Sequence, residues 1–140
     1  METLRATARI LAPRARIWAV WLDVERWPAW TSTVLSAKRL EASPLTLGSR
    51  THIQQPRLPA AVWQVIELDE AKGIFIWASR SPGITVTASH QLEEVPDGSV
   101  VTHALKYTGL LSPVIGRLYR SQSQEYLATE IQGLKAYCES

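Results

Sequence analysis

The sequence predicts an α+β domain in which a curved antiparallel sheet of about seven strands grips one long carboxy-terminal helix, with two short helices after the first strand. Three patterns carry this expectation. Residues 3–11 alternate apolar and polar and run into a helical segment opened by Pro13. A series of short alternating runs separated by turn residues follows, ending in two strands joined at Pro96-Asp97-Gly98. Apolar residues then recur at 4-3-4 spacing almost to the end of the chain.

The elements follow in order. Leu4, Ala6, Ala8 and Ile10 fall on one side of the first run, and Thr3, Arg5, Thr7 and Arg9 on the other, which is the period of a half-buried strand. Pro13 is expected as the first residue of a helix, where its missing N–H costs nothing, and Ile17, Trp18, Val20 and Trp21 supply its apolar stripe. That helix should break at Pro28, with a second short one in 23–30. Runs 34–40, 49–54, 61–68 and 74–79 read as strands, and Pro56 and Pro59 bracket a connection that cannot be a central strand. In 61–68, Trp63 shares a face with Val65 but also with Glu67, while Val62, Ile66 and Leu68 share the other, so parity leaves the inner face open. Ser112 is expected to cap a single last helix with Pro113 at its first position, running to about Cys138. Leu127, Ile131, Leu134 and Cys138 form one stripe of it, and Ile115, Tyr119, Gln122 and Tyr126 a second. The polar stretch 121–124 is either exposed or the place where the helix thins around something bound.

The 140 residues fit one domain spanning 1–140. A net charge of +2 is too small and scattered for a nucleic-acid partner, and Arg5, Arg9, Arg14 and Arg16 alternate with apolar residues as a solvated face does. Cys138 is alone, so no disulfide framework is expected, and an inert half-buried thiol is. The amino terminus lacks an apolar signal core and no apolar run reaches membrane-spanning length, so a cytoplasmic protein without stable membrane insertion is expected. Six tryptophans against one phenylalanine suit either a cavity lining or a filled core.

The hairpin is the most informative stretch. Lys106 should face water, taking Thr102 and Ala104 with it and turning Val101, His103, Leu105 and Tyr107 inward. On its partner, Leu92, His90, Ala88 and Val86 share the apolar face. A register pairing Leu92 with Val101 sets His90 against His103, and one shifted by a step sets His90 against Leu105. Either way two imidazoles enter an apolar lining.

This order resembles the polyketide cyclase/dehydrase and lipid-transport group of the START-like (SRPBCC, birch-pollen-allergen-like) superfamily. The residues that carry the resemblance are Ala12-Pro13 with Trp18, the run from Leu22 to Trp30, Gly48 opening a strand, His90-Gln91-Leu92 through Gly98 to Thr102-His103, and the run from Tyr107 to Pro113. It covers essentially the whole chain through diffuse motifs. It implies a helix-grip fold with a deep apolar cavity between sheet and last helix. Members bind lipids, sterols, polyketides, aromatic metabolites or hormones, and a minority are enzymes. On that resemblance His90, His103 and Tyr107 line the cavity wall with Val86, Ala88 and Leu105, Tyr119, Gln122 and Tyr126 form its helix side, and Trp30 stands near its mouth. Trp63 and Trp77 are further candidates, and the loops 55–60 and 80–83 are its gates.

Three functions are then in contention. The first is binding or transport of a small hydrophobic partner, with His90, His103 and Tyr107 meeting its polar end. The second is a cofactor-free cyclase or dehydratase, a lyase or isomerase with His90 and His103 as acid and base and Tyr107 as donor. The third is an interaction module, as a homodimer for instance, whose tryptophans fill the cavity. No metal is expected, because His52 lies on a distant strand and no third ligand is evident beside the two histidines. Nucleotide loops and nucleophile elbows are missing from the sequence, so no cofactor is expected. Glu67, Asp69, Glu93 and Glu94 read as solvated charges.

Overall fold

The computed structural model describes residues 3–140. Met1 and Glu2, part of the terminus read as lacking a signal core, lie outside the described residues. Seven strands, β1 (Thr3–Ile10), β2 (Ser36–Arg39), β3 (Arg50–Gln54), β4 (Ala61–Asp69), β5 (Ile74–Ser81), β6 (Ile84–Val95) and β7 (Gly98–Thr108), form one antiparallel sheet in the order β1-β7-β6-β5-β4-β3-β2. Strands β2 to β7 each pair with their neighbour in sequence, whereas β1 pairs across the chain with β7, Thr3 opposite Lys106 and Ile10 opposite Ser99. Helices α1 (Arg14–Leu22), α2 (Ser112–Leu118) and α3 (Arg120–Glu139) and a 3-10 helix, Val24–Ala29, complete a helix-grip fold. Among the described residues, no helix is long and apolar enough to cross a membrane.

The alternation read in β1 is the observed one: Leu4, Ala8 and Ile10 are buried, and Arg5, Thr7 and Arg9 are exposed. The strand's outer carbonyls meet α3, where Gln124 Nε2 donates to the Arg5 carbonyl at 3.0 Å and Lys135 Nζ to that of Arg9 at 2.7 Å. An otherwise open sheet edge is closed by these side chains.

Three boundaries differ from expectation. Pro13 is the residue before α1, which starts at Arg14, and the Arg16 and Ile17 amides bond back to its carbonyl. The helix ends at Leu22, not at Pro28, which sits inside the 3-10 helix. Trp27 Nε1 donates to the Trp21 carbonyl at 3.1 Å, so the folded-back indole satisfies an end carbonyl of α1. Finally, the expected single last helix is two, meeting at Tyr119. Gly116 and the Ser121/Ser123 pair flank this break, and such residues tolerate bends. Ser112 is not the cap: Leu111 holds that position, and the Ser112 amide bonds to the Gly109 carbonyl at 3.1 Å.

The hairpin adopts the register that sets Leu92 opposite Val101 and His90 opposite His103. In β4 the pairing with β5 slips by one residue between Val65 and Glu67. This bulge explains why parity alone was ambiguous. Trp63 and Val65 turn inward before it, Val62 and Ile66 stay exposed, and beyond it Leu68 rather than Glu67 packs on the core.

Candidate ligand cavity

A cavity of about 340 Å³ lies between the concave face of the sheet and the two carboxy-terminal helices. The sheet side presents Ile53, Ala61, Trp63, Trp77, Val86, Ala88, Leu105 and Tyr107, and the helix side Ile115, Tyr119, Gln122, Ser123, Tyr126 and Leu127. Gln55, Leu58 and Pro59 from one loop and Ser81 and Ile84 from the facing ends of β5 and β6 also line it. Tyr126 Oη donates to the Pro56 carbonyl and Gln122 Nε2 lies 3.4 Å from that hydroxyl, so the 55–60 loop is tied to α3. The polar stretch of α3 is divided: Ser121 and Gln124 are exposed, whereas Gln122 lines the cavity and Ser123 is buried with its hydroxyl 2.6 Å from Tyr107 Oη. Burial pushes the Tyr107 phenol above its ordinary pKa.

His90, His103 and Glu130 also line this cavity. The imidazole rings meet edge to face with centroids 4.7 Å apart, and His90 stacks on Phe75 at 4.8 Å. His90 Nδ1 lies 2.8 Å from the Phe75 carbonyl, which can only accept, so Nδ1 carries the proton and Nε2 is the ring's acceptor. On His103 the roles are set from the other side. Trp21 Nε1, a donor only, points at His103 Nε2 from 3.1 Å, so the ring holds its proton on Nδ1. There Glu130 Oε1 stands 2.7 Å away, in close contact but outside the angle of an aligned hydrogen bond. The result is a chain running from Trp21 through His103 to the Glu130 carboxylate.

Burial, then the neighbouring His103, holds the His90 pKa well below 6.5, and the Phe75 carbonyl only partly offsets this. The unfolded chain therefore takes up a proton below about pH 6.5 that the folded one refuses, and stability falls as pH drops from there by up to about 1.4 kcal/mol per unit. Chemical denaturation of parent and His90→Gln proteins at several pH values between about 4.5 and 7 checks this. The parent should lose stability more steeply than the variant over that window, and parallel profiles would refute the assignment. Elsewhere, burial pushes the Cys138 thiol up to about 11, which makes it unreactive.

Most of the residues expected at a cavity converge on it, and Trp30 does not. Its carbonyl lies beneath α3 at Gly133, and the residue, buried itself, borders an outer groove with Arg16, Ala19, Val20 and Tyr137. Trp27, one turn earlier on the 3-10 helix with its ring centroid 5.1 Å from that of Trp30, takes the place against the cavity. Trp27, Trp63 and Trp77 line the space and leave it open, so the tryptophans do not fill it.

Glu130 is the residue the sequence reading missed. Extending the stripe Ile115, Tyr119, Gln122, Tyr126 by four positions reaches it. It also corrects the expectation that no third ligand stands near the histidines, because one donor atom each from His90, His103 and Glu130 lie within 4.8 Å of one another. Coordination would need His103 Nδ1 bare, and the Trp21 donor places the proton there. The arrangement fits protonated Nδ1 atoms on both rings, one held by the Phe75 carbonyl and one beside Glu130, better than a metal. His52 is exposed on β3, away from it.

A family model described as polyketide cyclase/dehydrase and lipid transport matches residues 1–139. No curated protein matches the chain. Solved structures do. A Thermobifida fusca protein is 21% identical with a TM-score of 0.79, covering 96% of this chain and 91% of its own. The ginseng (Panax ginseng) major latex-like protein 151 is 13% identical with a TM-score of 0.83, covering 99% and 98%. A hypothetical protein from Helicobacter pylori is 11% identical with a TM-score of 0.83, covering 98% and 88%. At these identities the likeness is one of fold.

Proposed function

We propose, for a chain that belongs to the polyketide cyclase/dehydrase and lipid transport family, that it binds and carries a small hydrophobic molecule in the cavity between sheet and carboxy-terminal helices. The reading takes residues 1–140 as one cytoplasmic ligand-binding domain. The observation that carries it is the cavity itself: about 340 Å³, walled largely by tryptophan, tyrosine and aliphatic side chains, with one cluster of ionisable groups at His90, His103 and Glu130 and hydroxyl and amide groups at Tyr107, Gln122 and Ser123. Each 100 Å² of apolar ligand surface buried there contributes about 2.5 kcal/mol, and the few polar groups set orientation.

Native mass spectrometry of the freshly purified protein, paired with a titration of tryptophan fluorescence by a hydrophobic probe, tests the reading. The expected result is either a retained mass of roughly a few hundred daltons, the size such cavities enclose, or saturable quenching of Trp27, Trp63 and Trp77. Neither a retained mass nor saturable quenching would sink it.

A second reading, a cofactor-free cyclase or dehydratase, is favoured by one observation. The Glu130 carboxylate lines the cavity with His103 behind it. His103 Nε2 already accepts from Trp21 and Nδ1 already carries the ring proton, so Glu130 rather than His103 would take a substrate proton, and His103 would act as a positioning residue. In that reading Glu130→Gln leaves a substrate bound but unconverted.

A further inference from the structure

We propose that the cavity selects hydrophobic molecules bearing a protonated amine and rejects carboxylates of the same shape, an inference that rests on the cavity being a ligand site. Among the described residues, Glu130 is the one charged side chain in the lining, and no lysine or arginine reaches it. The groups around it are acceptors. Glu130 has a second oxygen beyond the one beside His103, and His90 Nε2 is a lone pair because its Nδ1 proton is held by the Phe75 carbonyl. His103 offers the ligand no spare donor, since its buried Nδ1 lies 2.7 Å from Glu130 Oε1 and its Nε2 accepts from Trp21. A group bound against His90, His103 and Glu130 must therefore bring the hydrogens.

An ammonium group does so and neutralises the carboxylate. A ligand carboxylate would set anion against anion with no donor from His90 or His103 between them. The aromatic surroundings point the same way. Trp27 and Trp77 stand 5.6 and 6.1 Å from the His90 ring, so indole rings border the polar end, and electron-rich aromatic surroundings suit a cation in a desolvated place. The remaining wall, with Trp63, Tyr119 and Tyr126, matches a flat apolar body.

The test is calorimetric titration of the full chain near neutral pH with three probes of one shape: 2-(1-naphthyl)ethylamine, 2-(1-naphthyl)ethanol and 1-naphthylacetate. The amine should bind about tenfold or more tighter than the alcohol, and the acid weakest of all, as a charge-assisted hydrogen bond against a charge clash requires. In Glu130→Gln the amine should lose about tenfold while the alcohol changes by less than about threefold, which also reports that the variant is folded. An acid that binds the parent protein as tightly as the amine, or an alcohol that equals it, overturns the amine preference and leaves the cavity reading intact. No binding by any of the three overturns both. The ranking on the parent protein decides the matter even if Glu130→Gln does not fold.

Discussion

A Gly133→Ala variant should unfold about 10 °C below the parent protein, against the usual direction for such a change. Within an exposed helix, glycine to alanine stabilises by about 1 kcal/mol because it removes backbone freedom from the unfolded chain. Gly133 is placed otherwise. A Cβ there would stand 2.0 Å from the Trp30 carbonyl oxygen, 3.1 Å from its carbon and 3.6 Å from the Thr31 Cα. All three are backbone atoms just past the 3-10 helix, and no rotamer change removes them. The methyl group must lift α3 from the turn it rests on, at a cost of about 3 kcal/mol or more. Since Glu130 lies one turn away on α3, affinity for an amine probe should drop with it. Thermal unfolding followed by circular dichroism is the measurement, and an unchanged or higher Tm would show that α3 does not seat on this carbonyl.

Trp21→Phe should cost about 2–4 kcal/mol, although an aromatic ring still fills most of the site. Part of the loss is the missing ring volume at a fully buried residue. The rest is chemical. Without the indole N–H, His103 Nε2 becomes a buried acceptor with no donor, and nothing then holds the imidazole proton on Nδ1. Nitrogen chemical shifts of His103 read this directly. The parent should show one tautomer, protonated at Nδ1, and the variant a mixture or the opposite form. A variant with His103 unchanged and stability within about 1 kcal/mol of the parent would mean that the chain from Trp21 to Glu130 does not set the site.

Where one face of an element carries the pattern, sequence reading went far. Alternation alone set His90 and His103 on one face, and pairing Leu92 with Val101 brought them opposite each other. It failed where an extra residue or a bend changes the phase. The bulge after Val65 inverts parity within a single strand, and its sequence holds neither glycine nor proline to announce it. The break at Tyr119 lies in a stretch that satisfies a helical period on both sides. Trp30 is expected near the mouth, and Trp27 lines the cavity instead: a 3-10 helix advances three residues per turn, so both lie on nearly one line, and the crossing of α3 at Gly133 covers Trp30. Glu130 was overlooked for a different reason: a lone glutamate on an amphipathic helix looks like a solvated charge until the sheet that faces it is known.

The pairing of β1 with β7 has a consequence in time. Partners such as Thr3 and Lys106, or Leu4 and Leu105, are about a hundred residues apart, and such long loops must close before any contact between them stabilises the chain. At a synthesis rate of about 5–20 residues per second, β1 leaves the ribosome roughly 5–20 s before its partner β7 exists. During that interval Leu4, Ala8 and Ile10 have no sheet to cover them, and the alternating Arg5 and Arg9 put on the segment the kind of charge that disfavours pairing with another nascent chain. The two arginines on the outer face thus guard the protein before it has a fold, whatever its cavity later holds.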